Sequence, residues 1–148
     1  MRVENLTHSF QAGLQDAQSL ALQSNHSQIE PVHLLVAMLD QNNSAIGAIY
    51  TLADINVSEL KLACEKLLDQ LLQLQSSTGE LGISANLNAL LNRCEKLAHQ
   101  WQDKFIASET LALAVLDEGA ELGKVFKQSG IDKKTVSYTH LRAHETAL

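Results

Sequence analysis

Apolar positions recur at helical spacing along this 148-residue chain, and polar breaks divide them into segments. Phe10, Leu14, Ala17 and Ala21 share one face, with Leu20 beside them, so a helix is predicted to follow Thr7. Thr7 suits the N-cap, where its hydroxyl accepts an otherwise free backbone N–H. The polar stretch Gln23-Ser24-Asn25-His26-Ser27-Gln28 ends this helix. Glu30-Pro31 opens the next, because a proline in the first turn gives up an N–H that has no helical partner. From Val32 to Leu39 only His33 is polar, as in a helix buried on every side. Gln41-Asn42-Asn43-Ser44 interrupts the pattern, and Ser44 is placed to cap a short helix reaching about Leu52. Asn56 or Ser58 caps a longer one, striped by Leu60, Cys64, Leu67, Leu68, Leu71 and Leu72.

After the Ser/Thr/Gly-rich stretch 75–84 the same programme returns. Ile29, Leu34, Ala37, Leu39 and Asp40 reappear as Ile106, Leu111, Ala114, Leu116 and Asp117, each 77 positions later. At the same shift Ala12, Leu14, Leu20, Ala21 and Gln23 return as Ala89, Leu91, Leu97, Ala98 and Gln100. With one residue deleted, Gly47, Ile49, Tyr50 and Ile55 face Gly123, Val125, Phe126 and Ile131. A period this long marks a duplicated helical unit. The second copy is expected to run as a helix from Leu87 to Gln100, a loop through Asp103, a cap at Ser108 and a buried helix to about Leu116. A short helix then ends near Gly130, whose missing Cβ suits a left-handed stop, and Asp132 caps a last one. The boundaries are repeat one 1–74, linker 75–84 and repeat two 85–136. Val136 still matches Leu60, but residues 137–148 lack an amphipathic stripe and are expected to be a tail of foreign or frame-shifted origin.

The chain is 45% hydrophobic and 4% aromatic, with one proline and seven glycines. It can therefore bury a core, and that core must consist of Leu and Ala, as in close-packed helices. The predicted class is all-α, one domain. Seventeen acidic residues against eleven basic ones give a net charge of −6, which disfavours a phosphate-tracking surface, so no nucleic-acid partner is expected. Cys64 and Cys94 form no CxxC and support no disulfide framework. Met1-Arg2-Val3-Glu4-Asn5 leads into no apolar run, and no stretch approaches the roughly 18 apolar residues of a membrane span. A cytoplasmic protein with reduced thiols and no membrane partner is expected.

Candidate chemistry is thin. Residues 119–125 graze a phosphate-binding loop, but the glycines stand one residue too close and Val125 replaces the required hydroxyl. His140 and His144 have metal-ligand spacing without a third ligand, and His33 reads as a core or capping histidine. Cys94 falls at the inward position of Ala17, so both cysteines read as small core hydrophobes. No Ser/His/Asp arrangement appears. No catalytic residue, cofactor or metal is expected, and the chain by itself is not an enzyme. Three polar residues have double readings: Thr7 as cap, Asp103 as loop acid and Glu109 as a first-turn acid favoured by the helix dipole, or each as a binding group.

Met1-Arg2, Leu6-Thr7, Phe10-Gln11, Ala17-Gln18-Ser19-Leu20-Ala21-Leu22, Ile29-Glu30-Pro31 and His33-Leu34 resemble the N-terminal Clp repeat domain of ClpB-type disaggregase chaperones. Asp103-Lys104-Phe105-Ile106 and Ser108-Glu109 extend the likeness, which covers residues 1–136 and the duplication. It implies a compact bundle of about eight helices with pseudo-twofold symmetry. It implies a module that captures exposed apolar segments of unfolded or aggregated proteins for an AAA+ ATPase ring, with a DnaK-type chaperone system acting in the same pathway. Thr7, Asp103 and Glu109 would engage clients beside an apolar groove at the seam of the repeats, with Leu91 and Thr110 as groove contacts. Thr110 departs from the apolar residue expected there. The alternative is an adaptor-docking domain of a protease-linked Clp ATPase, which would bind one folded partner. The copies also differ informatively: Glu109 replaces Val32 and Asp103 replaces His26, so the acidic pair belongs to the second copy alone.

Overall fold

Local chemistry sets most helix starts in the computed structural model, which describes residues 3–71 and 81–139. After a 3-10 turn at Val3–Asn5, α1 (His8–Gln23) begins where the Phe10 N–H donates to Thr7 Oγ1 at 3.3 Å. A two-residue strand, β1 (Gln28–Ile29), precedes α2 (Pro31–Leu39), every residue of which is buried. Ser44 caps α3 (Ala45–Leu52) through Gly47 N–H, and Asn56 caps α4 (Val57–Gln70) through Glu59 N–H. The second strand, β2 (Gly82–Ile83), leads into α5 (Ala85–Gln100), capped by Ser84. α6 (Ser108–Ala114) is extended by a 3-10 turn at Val115–Asp117, and α7 (Glu121–Gln128) follows. The described part of α8 is 133–139, where Asp132 accepts from the Lys134 N–H.

Two caps depart from expectation. Ser108 does not cap α6: the N-cap is Ala107, and Ser108 is the first helical residue, its hydroxyl turned inward 3.7 Å from Met38 Sδ. Burial takes that side chain away from its own backbone. At α7 the residue equivalent to Ser44 is Ala120, whose side chain has no polar atom to cap with. The carboxylate of Glu118 takes over, accepting from the N–H groups of Ala120 and Gly123. The stop after α7 is as expected, with Gly130 at φ +70°.

The duplication is visible in geometry. α1 and α5 have equal length, and the turns after them carry repeat-related left-handed residues, Asn25 (φ 56°) and Gln102 (φ 60°). The copies also exchange backbone bonds. Ile29 pairs with Ile83, which stands just ahead of α5 at the position equivalent to Leu6, and Leu6 pairs with Ile106, the equivalent of Ile29, both in parallel. The start of each copy is thereby bonded to the middle of the other. Of the stretch read as linker, Gly82–Ile83 lie in this exchange and Ser84 is a cap, while 75–80 fall outside the described residues, as do 140–148 of the tail and its His140 and His144.

α2 runs through the centre, packed on α1, α3, α4 and α5, and α6 lies against α3 and α5. Across the pseudo-axis Tyr50 meets its counterpart Phe126 edge-on, ring centroids 6.1 Å apart, and donates its hydroxyl to the Ala112 carbonyl at 2.8 Å. Cys64 and Cys94 are fully buried in the Leu- and Ala-rich core.

Candidate functional site

The Leu6–Ile106 bridge positions the site. Ile106 N–H donates to Asn5 O at 2.8 Å and Thr7 N–H donates to Ile106 O at 3.0 Å, holding the start of α1 beside the start of α6. Between them opens a cleft of about 760 Å³. Thr7, His8, Ser9, Ala12 and Asp16 of the α1 end form one wall; Asp40 to Asn43 and Ala45, between α2 and α3, form another. Ala107, Ser108 and Glu109 close it from the second copy, so the cleft lies on the seam.

Thr7 therefore does two things: its oxygen caps α1, and its side chain borders the cleft. Glu109, half-buried in the first turn of α6, faces the same space. Asp103 is exposed on the α5–α6 loop, its N–H bonded to Ala98 O, and does not line the cleft. Leu91 and Thr110 do not line it either. Leu91 packs into the core from α5, and Thr110 is 1% exposed, occupying the place His33 has in the first copy. The structure thus brings together Thr7 and Glu109, not all five candidates.

Residue-type reasoning missed Asp16, His8, Ser9 and the Asp40–Asn43 turn. A helical wheel carries part of the signal, since Ser9, Ala12 and Asp16 fall on one face at i, i+3 and i+7. The cleft is walled by polar side chains over alanines, not by the apolar groove that was expected. The large apolar side chains of the seam, Leu6, Ile106, Leu111 and Tyr50, are consumed by the core. Two exposed ones, Val3 and Phe105, flank the bridge itself. Among the described residues, three carboxylates and no lysine or arginine line the cleft. Lys61 on α4 neutralises Asp40 in an ion pair, which leaves Asp16 and Glu109 to set the field.

Among the described residues no group of three or more His, Cys, Asp or Glu is placed to hold a metal ion, and no helix is long and apolar enough to cross a membrane. Burial pushes the Cys64 and Cys94 thiols up to about 12, the opposite of what a nucleophile needs.

The chain is similar to known proteins over nearly its whole length. It is 39% identical to the chaperone protein ClpB of Vibrio vulnificus over 137 residues, which is 93% of this chain and 16% of that protein. It is 40% identical to ClpB of Pseudomonas putida over 136 residues, with 92% and 16% covered. It therefore spans about a sixth of the curated relatives' length. The fold matches the crystal structure of the Hsp104 N-terminal domain from Candida albicans (TM-score 0.84, 19% identity, 95% of this chain and 91% of that one). It also matches a ClpV N-domain in complex with a VipB peptide (TM-score 0.68, 17% identity, 90% and 82% covered). The model of the Clp repeat (R) N-terminal domain takes in residues 5–129, both copies and the cleft between them, and the chain belongs to that family.

Proposed function

We propose that this domain captures segments of partner proteins at the Thr7–Glu109 cleft and presents them to the ATPase ring of a ClpB-type chaperone. The observation that carries the reading is the position of the cleft on the seam, beside the Leu6–Ile106 bridge. Asp16 and Glu109 attract basic side chains of a client, Val3 and Phe105 offer apolar contact, and exposed Asp103 adds to the acidic field. Each contribution is small. Weak capture suits a module that must hand its client on, and several tethered copies on a ring raise the effective affinity. Unfolded or aggregated proteins are the expected clients.

The related reading, docking of one dedicated partner, has its own support in the ClpV N-domain that carries a VipB peptide. Titrating a fluorescent unfolded protein into this chain, with and without folded competitors, separates the two. Micromolar or weaker binding to many unfolded chains supports capture; tight binding to one folded partner supports docking. In the capture reading, Asp103→Ala with Glu109→Ala weakens client binding several-fold and shifts the melting temperature by no more than about 2 °C. A large loss of stability with binding intact would return both acids to purely structural roles.

A further inference from the structure

The first copy contains two buried imidazoles that the capture reading does not use. His26 Nδ1 lies 2.8 Å from His33 Nε2, and the Glu30 backbone N–H donates to His33 Nδ1 at 2.8 Å. A neutral imidazole has one donor and one acceptor nitrogen. The Glu30 amide can only donate, so His33 Nδ1 is bare and His33 carries its proton on Nε2. That proton is given to His26 Nδ1, and His26 keeps its own on Nε2. With both rings neutral, only this placement satisfies the chain of bonds. An additional proton on either Nδ1 sets two N–H groups face to face, and a bond is lost.

The pair sits around a junction. His26 lies two residues before β1, while Glu30 and His33 come directly after it, so the imidazoles close a ring about Gln28–Ile29. That strand is half of the exchange that joins the copies, through Ile29 and Ile83. In the second copy Asp103 and Thr110 stand at the equivalent positions, and the Leu6–Ile106 bridge has no imidazole pair behind it.

We propose that His26 and His33 form an acid-released latch: protonation of His26 breaks the bond between them and loosens the β1–β2 bridge, while the Leu6–Ile106 bridge stays closed. His26 takes the proton first because it lies nearer the surface and Asp69 on α4 favours its charged form, although burial holds its pKa below the usual value. Burial, and then the His26 charge, pushes His33 down to about 4. Burial raises the Glu30 pKa above its usual value, the hydrogen bond from Ser84 opposes that rise and the charge of Glu118 adds to it. The unfolded chain binds protons on both imidazoles from about pH 6.5 downward, and the folded one resists. The stabilisation is therefore complete above that value and declines as the pH falls towards the folded pKa values.

Amide hydrogen exchange reads the two bridges through a matched pair of probes. Ser84 N–H donates to Ile29 O at 3.1 Å, and Thr7 N–H donates to Ile106 O at 3.0 Å. Between about pH 7 and about pH 5 the protection factor of Ser84 is expected to fall about tenfold or more, while that of Thr7 holds. In His26→Asn, whose amide oxygen accepts from His33 Nε2 at any pH, Ser84 protection stays level. Parallel loss at both amides, no loss at Ser84, or an equal loss in His26→Asn would each overturn the proposal. Should that variant not fold, nitrogen-detected imidazole NMR on the unaltered chain decides. The expected spectrum has a bonded His33 Nε2 proton that disappears together with Ser84 protection, and its persistence through that loss would refute the latch.

Discussion

Alanine at Gly123 should cripple the fold, while alanine at its repeat-related partner Gly47 should be harmless. A Cβ at Gly123 would fall 1.8 Å from the carbonyl oxygen of Glu118 and 3.0 Å from its carbon. Ordinary C···O contacts begin at about 3.3 Å, so the backbone has to retreat by more than about 1 Å. The obstacle is main chain, which cannot rotate away as a side chain would. Glu118 also accepts the Gly123 and Ala120 N–H groups, so moving it breaks both bonds. Hydrogen bonds to a charged group are worth about 1.5–3 kcal/mol each, and alanine's helix preference over glycine returns about 1 kcal/mol. The net loss is about 2–5 kcal/mol, or about 5–15 °C in melting temperature for a chain of this size. At Gly47 the same Cβ meets Ser44 Cβ and Oγ at 3.5 Å, an ordinary contact, and stability holds or rises by up to about 1 kcal/mol. Thermal unfolding followed by circular dichroism measures both. A Gly123→Ala melting point within about 2 °C of the parent, or an equal fall for Gly47→Ala, would refute the steric argument.

Other perturbations have smaller expected effects. Tyr50→Phe removes the hydroxyl bonded to the Ala112 carbonyl across the copies and should cost about 1–2 kcal/mol in urea unfolding; no change would mean that the carbonyl is satisfied elsewhere. Ser84→Ala uncaps α5 at a buried position and should cost about 1 kcal/mol, with the m-value unchanged. Cys64 and Cys94 should resist a thiol-specific reagent at neutral pH until the chain unfolds, so a reaction rate that does not track unfolding would contradict their burial.

Several features could be read from the sequence because their causes are local. Thr7, Ser44 and Asn56 cap the helices that follow them, since a cap needs only the chain to turn within three residues. His33 is the buried, capping histidine that its apolar surroundings implied. The duplication was legible as a repeat of residue types. Other features escaped because their causes lie far along the chain. Ser108 reads as a cap and instead faces Met38, seventy residues away in sequence. Glu118 escaped for a different reason: it stands only two residues before Ala120, in a turn with no recognisable cap pattern, yet its carboxylate replaces the cap missing there. Asp103 and Glu109 are six positions apart, yet only Glu109 reaches the cleft.

The sequence by itself thus determined two copies of a four-helix programme, an all-α core of Leu and Ala, and the residues that start most helices. Periodicity and capping are properties of neighbouring residues, so a linear reading contains them. Only the tertiary structure decided that each copy bonds to the middle of the other, that this exchange opens a cleft on the seam, and that its walls are polar. It also decided that two glycines aligned by the duplication have opposite tolerance to a methyl group. The exchange depends on which main-chain atoms approach across the seam, and the glycine difference on how the turn at Glu118 folds back onto α7; neither distance is written in the periodicity of the chain.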